Sequence, residues 1–145
     1  MPDPESPARG LLDSSVLIEL DKLDASMLPS ELAISAITLA ELAAGPHAAA
    51  DVNERARRQE RLQRAEATFE PLPFDAAASR AYGRVYAAVT AAGRKARGRR
   101  AVDMLVAATA LSVQMPLYTR NPADFAGLAE ILEVVSVPAP TTFQG

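Results

Sequence analysis

The sequence contains no cysteine and only one histidine, His47. The absence of cysteine excludes a disulfide scaffold, a thiolate zinc site, an iron–sulfur cluster and a cysteine nucleophile. A single imidazole is also too few for a zinc site built from several histidines. The sequence has no Gly-x-Ser-x-Gly turn for a serine hydrolase, and it has no glycine-rich loop of the kinds that bind nucleotide phosphates.

Long apolar stretches are missing as well. No run approaches the ~20 residues that span a bilayer, and the first seven residues, MPDPESP, do not resemble a secretory signal. We therefore expect a cytoplasmic protein without a membrane segment. The 145 residues are enough for one domain that folds without staples. We expect a flexible leader over residues 1–9, a domain over 10–137 and a tail over 138–145.

The chain carries a formal net charge of −3 at pH 7, so it lacks the general cationic surface of many nucleic-acid-binding proteins. Residues 94–100, RKARGRR, are a local exception and are called the basic segment below. Its five cationic side chains are those of Arg94, Lys95, Arg97, Arg99 and Arg100.

Short apolar runs alternate with longer helical patterns along the chain. Strands are predicted at residues 11–12, 32–35, 117–118 and 131–137, with a weak, proline-flanked edge strand at 70–73. Helices are predicted at residues 14–23, 38–44, 48–69 and 104–113, and one more follows Asp75, which can cap it. This alternation predicts an α/β fold with a mainly parallel sheet, whose functional crevice lies beyond the carboxyl ends of the strands.

Four acidic residues from distant parts of the sequence fall near this predicted edge: Asp13, Glu41, Asp103 and Asp124. Carboxylates gathered at one place repel each other, and a bound divalent cation removes that penalty. Ligands that are all oxygen select Mg²⁺ or Mn²⁺ over softer metals. Such a cation can activate water and stabilise the charge that develops on a phosphodiester. Metal-assisted hydrolysis is therefore the chemistry that the sequence favours.

Each of these acids also has a simpler interpretation. Asp13 can cap the helix that starts at Ser14, and Thr38-x-x-Glu41 has the spacing of a capping box. Asp103 sits where we expect the first turn of a helix, at which the helix dipole favours an acid. Asp124 can be a solvated turn residue.

Four segments, taken together and in order, resemble the motifs of PIN-domain ribonucleases, specifically the VapC-type toxins of bacterial toxin–antitoxin pairs. The segments are Gly10-Leu11-Leu12-Asp13-Ser14-Ser15-Val16-Leu17-Ile18, Ser35-Ala36-Ile37-Thr38-Leu39-Ala40-Glu41-Leu42, Asp103-Met104-Leu105-Val106-Ala107-Ala108-Thr109-Ala110 and Tyr118-Thr119-Arg120-Asn121-Pro122-Ala123-Asp124-Phe125. One such motif is weak, but four in the same order over residues 10–137 are strong.

The resemblance implies a three-layer α/β/α sandwich whose sheet has about five strands in the order 3-2-1-4-5. It implies an acidic pocket of Asp13, Glu41, Asp103 and Asp124, with Asp13 and Asp103 on the metal. Ser15, Thr119 and Asn121 fall within the same motifs, as candidates to orient the acids. Asn121 also competes with Asp124 to complete the site, and Ser15 stands where many relatives have asparagine. The resemblance further implies Mg²⁺- or Mn²⁺-dependent cleavage of RNA, a homodimer and inhibition by a VapB-like antitoxin.

The basic segment directly precedes Asp103, so its side chains could hold RNA phosphates beside the acids. An acidic stretch of the antitoxin could use the same residues, and a simply solvated loop is the third interpretation. The segment contains no aromatic residue, which argues against stacking of bases on it.

Two other functions compete with a ribonuclease. One is a binding module that keeps the fold and contacts RNA or antitoxin without catalysis; four intact acids argue against it. The other is a Mg²⁺-dependent aspartate phosphatase. That class would have a second acid two residues after Asp13, where Ser15 stands, and a lysine near the last strands, whereas Lys95 is the last lysine.

Overall fold

The computed structural model of the chain describes residues 8–140. Its sheet is formed by β1 (Arg9–Leu12), β2 (Glu31–Ala33), β3 (Leu117–Thr119) and β4 (Val134–Ser136). All neighbouring strands are parallel, and their spatial order is β2-β1-β3-β4. The predicted α/β fold with a parallel sheet is therefore confirmed. Of the predicted leader and tail, residues 1–7 and 141–145 lie outside the described residues, and Arg9 already belongs to β1.

The strand predicted at residues 70–73 is reduced to a single bridge between Leu72 and Ser35. The Leu72 N–H donates to the Ile34 carbonyl at 2.9 Å, and the Ala36 N–H donates to the Leu72 carbonyl at 2.8 Å. Pro71 and Pro73 have no N–H to extend the ladder, so pairing stops at one residue. Within residues 8–140 the sheet thus has four strands rather than five, and Leu72 occupies the edge position that the predicted order assigned to its outermost strand.

In the described part of the chain, five helices cover the two faces of the sheet: α1 (Ser14–Ile18), α2 (Ala36–Ala48), α3 (Val52–Thr68), α4 (Ala76–Ala91) and α5 (Arg99–Ser112). Leu11 and Leu117 point to one core, which α4 and α5 complete. Leu12 and Tyr118 point to the other, which α1, α2 and α3 complete. Successive strand residues face opposite sides, so the central strands β1 and β3 are buried on both faces, and the molecule has the expected three layers.

The second helix does not end at Gly45-Pro46, as the sequence pattern predicts, but continues to Ala48. Pro46 has no N–H for the bond of the last helical turn, and a proline at that position normally ends a helix. Packing against α3 compensates: Pro46 is buried, and the Arg58 guanidinium donates to the Gly45 carbonyl at 3.0 Å. The tertiary contact overrides the local stop signal.

The helix boundaries differ from the predictions at two more places that affect the site. α1 ends at Ile18 rather than Leu23, and a 3₁₀ turn over Leu20–Lys22 replaces the rest. In a 3₁₀ turn residues i and i+3 eclipse, which places Leu20 and Leu23 against the same core. α5 begins at Arg99, after Gly98 with its positive φ of 66°, so it starts five residues before the predicted residue 104.

α3 and β4 are also shorter than predicted. α3 begins at Val52, because the Asp51 side chain accepts from the Glu54 N–H as an N-cap, and β4 covers only Val134–Ser136 of the predicted 131–137. Asp75 caps α4 as predicted, through the Ala78 N–H at 2.9 Å. No helix among residues 8–140 has the length and apolar character required to cross a membrane.

Candidate active site

Asp13 lies at the point where β1 ends and α1 begins, and only 8% of the residue is exposed. Its Oδ1 accepts a hydrogen bond from the Val16 N–H at 3.2 Å and another from the Ser15 hydroxyl at 2.5 Å. Asp13 is therefore the N-cap of α1, as the simpler interpretation predicts. Capping fixes one oxygen of the carboxylate, and the same bonds orient the group at the carboxyl edge of the sheet.

Ser15 and Thr119 connect the start of α1 to the end of β3. The Ser15 Oγ accepts from the Arg120 N–H at 3.0 Å, and the two hydroxyl oxygens of Ser15 and Thr119 are 3.5 Å apart. Thr119 Oγ1 in turn accepts from the Asn121 N–H at 3.0 Å. Asn121 thus joins this network through its backbone. The chain of bonds ends on Asp13, so it holds that carboxylate in register with β3.

Glu41 and Asp103 come together from α2 and α5 around one cation. The Arg99 Nη1 lies 3.1 Å from Glu41 Oε2, and the Arg99 Nε lies 3.9 Å from Asp103 Oδ1. A third contact joins Arg99 Nη2 to the Ser14 hydroxyl at 3.3 Å. The two carboxylates are mostly buried, with 21% and 13% of their side chains exposed.

The simpler interpretations of Glu41 and Asp103 are wrong. The N-cap of α2 is Ser35, whose Oγ accepts from the Thr38 N–H at 3.0 Å, so the Thr38-x-x-Glu41 spacing forms no capping box and Glu41 lies in the second turn. Asp103 likewise lies beyond the first turn of α5, because that helix begins at Arg99. Neither acid is placed where it serves a helix end.

Burial and mutual repulsion perturb these two acids. Burial disfavours the charged form and raises the pKa of Asp103 to about 6; the Arg99 guanidinium opposes this shift. The negative charges of three neighbours add to the rise in the Asp103 pKa: Asp124, Glu41 and Asp13. Burial also raises the pKa of Glu41, with Arg99 lowering it and Asp13 raising it. The other three predicted acids therefore lie near enough to Asp103 for their charges to affect its pKa.

Asp124 differs from the other three acids. It lies on the 3₁₀ turn Pro122–Phe125 that follows β3, and it is exposed. Asn121, the other candidate for this position, precedes the turn and is also exposed. The negative charge of Asp124 contributes to the raised pKa of Asp103.

The basic segment divides into three parts. Arg99 contacts the acids, whereas the Arg94 guanidinium donates to the Ala123 carbonyl at 3.0 Å, close to the turn that carries Asp124. Lys95, Arg97 and Arg100 form no salt bridge with any other residue in the range 8–140. The sequence presents the five cations as one run, and the structure separates their surroundings.

A cleft of about 370 Å³ opens next to Glu41, and sequence reasoning did not identify its far wall. Arg58 and Arg61 of α3 line it together with Ser14, Glu41 and Arg99. Charged residues on α3 have the spacing of an ordinary solvated helix face, so no signal in the sequence distinguishes these two arginines. The acidic site therefore borders cations on two sides.

The donors at this edge are carboxylate and hydroxyl oxygens, which suit Mg²⁺ or Mn²⁺ in chemical type. As the side chains stand, no three His, Asp or Glu residues within the described part of the chain are grouped so that they could hold a metal ion. Glu41 and Asp103 instead share the guanidinium of Arg99. The acids fit such a cation by chemistry, and side-chain rearrangement would be needed to bind it.

Parallel strands with acids at their carboxyl edge between two helical layers define the class of protein, and residues 11–131 match the PIN domain family. The chain therefore belongs to the PIN domain family. It is similar to ribonuclease VapC5 of Mycobacterium tuberculosis (strain ATCC 25618 / H37Rv), at 36% identity over 137 residues that cover 91% of this chain and 98% of that protein.

Solved structures show the same likeness. VapBC-5 from Mycobacterium tuberculosis, a member of the VapBC family of toxin–antitoxin systems, matches with a TM-score of 0.78 and 37% identity, covering 92% of this chain and 100% of that one. FitAcB from Neisseria gonorrhoeae matches with a TM-score of 0.64 and 25% identity, covering 90% and 96%. The predicted PIN-family resemblance is confirmed over nearly the whole chain.

Proposed function

We propose that this protein is a Mg²⁺- or Mn²⁺-dependent endoribonuclease that acts as the toxin of a toxin–antitoxin pair. One observation carries the proposal: Glu41 and Asp103 meet around a single cation, electrostatically coupled to the buried Asp13, in a chain of the PIN domain family. The similarity to ribonuclease VapC5 supports RNA as the substrate.

In this proposal Asp13 and Asp103 hold the metal ion, while Glu41 and Asp124 complete the negative site around it. Ser15 and Thr119 keep Asp13 aligned through the bonds that join α1 to β3. The bound ion would supply an activated water and would stabilise the charge that develops on the phosphodiester. The acids are already close together in the folded protein, because the free energy of folding offsets the repulsion between them.

The cations around the site would position the RNA backbone. The cations that adjoin the part of α5 carrying Asp103 are Lys95, Arg97 and Arg100. Contacts between such cations and RNA phosphates would orient the RNA without reading its bases. Because the net charge of the chain is −3, a local positive strip would offset the long-range repulsion of RNA.

A VapB-like antitoxin is the proposed protein partner, and the proposed toxin would act as a homodimer. The likeness to VapBC-5, a member of a toxin–antitoxin family, supports the antitoxin. Co-expression with the protein encoded by the adjacent reading frame, followed by purification and light scattering, tests both the complex and the subunit number.

Metal dependence is the direct test of the reaction. Purified protein should cleave RNA with Mg²⁺ or Mn²⁺ and should stop in excess chelator. Ca²⁺ should support cleavage poorly, because its larger and looser coordination sphere holds water and substrate less precisely. Full cleavage in chelator would overturn the metal mechanism, and RNA binding without cleavage under any metal would favour the non-catalytic module.

A further inference from the structure

Arg99 connects three elements of the site through one guanidinium. It contacts Ser14 at the start of α1, Glu41 on α2 and Asp103 one turn further along α5. The three N–O distances are 3.3, 3.1 and 3.9 Å. No other cation in the range 8–140 forms a salt bridge with Glu41 or Asp103. Arg99 is thus the counter-ion of this acidic pair.

The burial of the partners is unequal. The Arg99 side chain is 66% exposed, whereas the side chains of Glu41 and Asp103 are 21% and 13% exposed. The cation therefore covers the acids from the solvent side and is not itself packed into the core. It can leave by side-chain rotation alone, and the loss of contacts with Ser14 and the two acids is the main cost of that movement.

A divalent ion and the guanidinium compete for the same oxygens. Two adjacent carboxylates repel each other, and either cation relieves that repulsion. A guanidinium that stays on the carboxylates would repel an incoming divalent ion, at distances where charges interact strongly even in a partly solvated site. Simultaneous binding is therefore disfavoured on electrostatic grounds.

We propose that Arg99 is an internal counter-ion that occupies the acidic site and is displaced when a divalent metal binds. The proposal rests on the metal site of the proposed function. Arg99 then stabilises the metal-free fold by pairing Glu41 with Asp103, and it weakens the apparent affinity for metal, because each binding event must break these contacts.

Calorimetric titration of the metal-free full-length protein with Mn²⁺ tests this competition. Arg99→Gln removes the charge but keeps a polar side chain, and it should tighten Mn²⁺ binding at least about fivefold. Arg99→Lys should fall between wild type and Arg99→Gln, since it keeps the charge and loses the fork that reaches two carboxylates. Arg100→Gln is the matched control with the same change of charge at the next position, and its Mn²⁺ affinity should stay within about twofold of wild type.

Thermal unfolding in chelator provides a readout that is independent of metal binding. Arg99→Gln should lower the metal-free Tm more than Arg100→Gln does, because it leaves two buried carboxylates without their cation, and Mn²⁺ should raise its Tm by more than it raises that of wild type. Equal Mn²⁺ affinities for wild type and Arg99→Gln, or weaker binding by the variant, would overturn the role of Arg99 and leave the metal site standing. No Mn²⁺ binding by either protein would overturn both proposals.

Discussion

The acidic site and the basic segment are opposite in sequence and in structure. The acids lie far apart in the chain, and folding gathers them at one edge of the sheet, where Asp13 and Asp103 are buried. The cations lie within residues 94–100, and Lys95 and Arg97 stay exposed without a salt bridge to the described part of the chain. Cations that are adjacent in sequence produce a local positive potential. Carboxylates that folding brings together and buries, such as Glu41 and Asp103, have raised pKa values.

Arg99 belongs to both the basic segment and the acidic site. It is a member of the basic segment by sequence, but its guanidinium lies on Glu41 and Asp103. The first turn of α5 carries it there, because Arg99 and Asp103 are four residues apart on one helical face. Arg99 and its neighbours in the basic segment therefore differ in role and require separate variants.

The largest effect is expected from Asp103→Asn, which removes one charge from the buried acidic site. RNA cleavage should fall by at least about 100-fold, because the amide keeps the shape but weakens metal binding. The Tm should change little, since the native carboxylate is itself disfavoured by burial. Asp21→Asn, at a side chain that is 82% exposed, is the control and should cleave like wild type. Wild-type cleavage by Asp103→Asn would remove Asp103 from the site.

Ser15→Ala tests whether the bonds behind the acids matter as much as their charges. It removes the hydroxyl that donates to Asp13 and accepts from the Arg120 N–H. Cleavage should fall by about 10- to 100-fold, the usual cost of losing a group that orients a metal ligand. Ser26→Ala, at an exposed serine on a separate turn, should leave the cleavage rate unchanged. Equal rates for the two variants would mean that Ser15 only links α1 to β3.

The double variant Arg97→Ala/Arg100→Ala tests the basic segment. RNA affinity should fall by about tenfold, and the dependence of log K on log salt should flatten by about 0.7 for each lost phosphate contact on a single strand. Mn²⁺ affinity should not change, because the acids and Arg99 are intact.

The double variant Arg80→Ala/Arg84→Ala is the matched control. It removes the same charge from α4, beside the carboxyl-terminal end of α5 at Ser112 and Gln114, and should bind RNA like wild type. If both double variants weaken RNA binding equally, the basic segment contributes only through net charge and makes no specific contacts with the RNA backbone.

The smallest effect is expected in the pH dependence of stability. Since the pKa of Asp103 is about 6 in the folded protein and about 4 in an unfolded chain, the folded state binds the proton more tightly. The contribution of Asp103 to the free energy of unfolding therefore decreases as pH rises from about 4 to about 6, and it levels off above that range.

Urea unfolding of wild type and Asp103→Asn in chelator, at several pH values, measures this contribution. The stability of wild type relative to the variant should decrease across the window and then stay constant, because Glu41 titrates in both proteins and cancels to first order. A difference that is independent of pH would mean that the environment of Asp103 is more like water than its burial implies.

Local patterns of residues predicted the parallel sheet and the positions of the acids. Leu11-Leu12 and Leu117-Tyr118 are short apolar runs, each followed by a polar side chain, and both became strands buried on two faces. The rule that parallel strands present their carboxyl ends at one edge then placed Asp13 beside the residues that follow β3. Such signals are strong because apolar runs and polar ends of strands are properties of a few neighbouring residues.

The sequence by itself therefore determined the class of fold and the presence of a cationic stretch, and it singled out the acids as candidates for the site. The tertiary structure decided which cation meets which acid. It also extended α2 past Gly45-Pro46, because the bond from Arg58 and the burial of Pro46 compensate for the missing backbone bond. It also decided that Glu41 and Asp103 cap no helix and share Arg99 instead. These outcomes depend on tertiary contacts, such as those of Arg58 with Gly45 and of Arg99 with Glu41, whose free energies outweigh local preferences. A short stretch of sequence does not show such contacts.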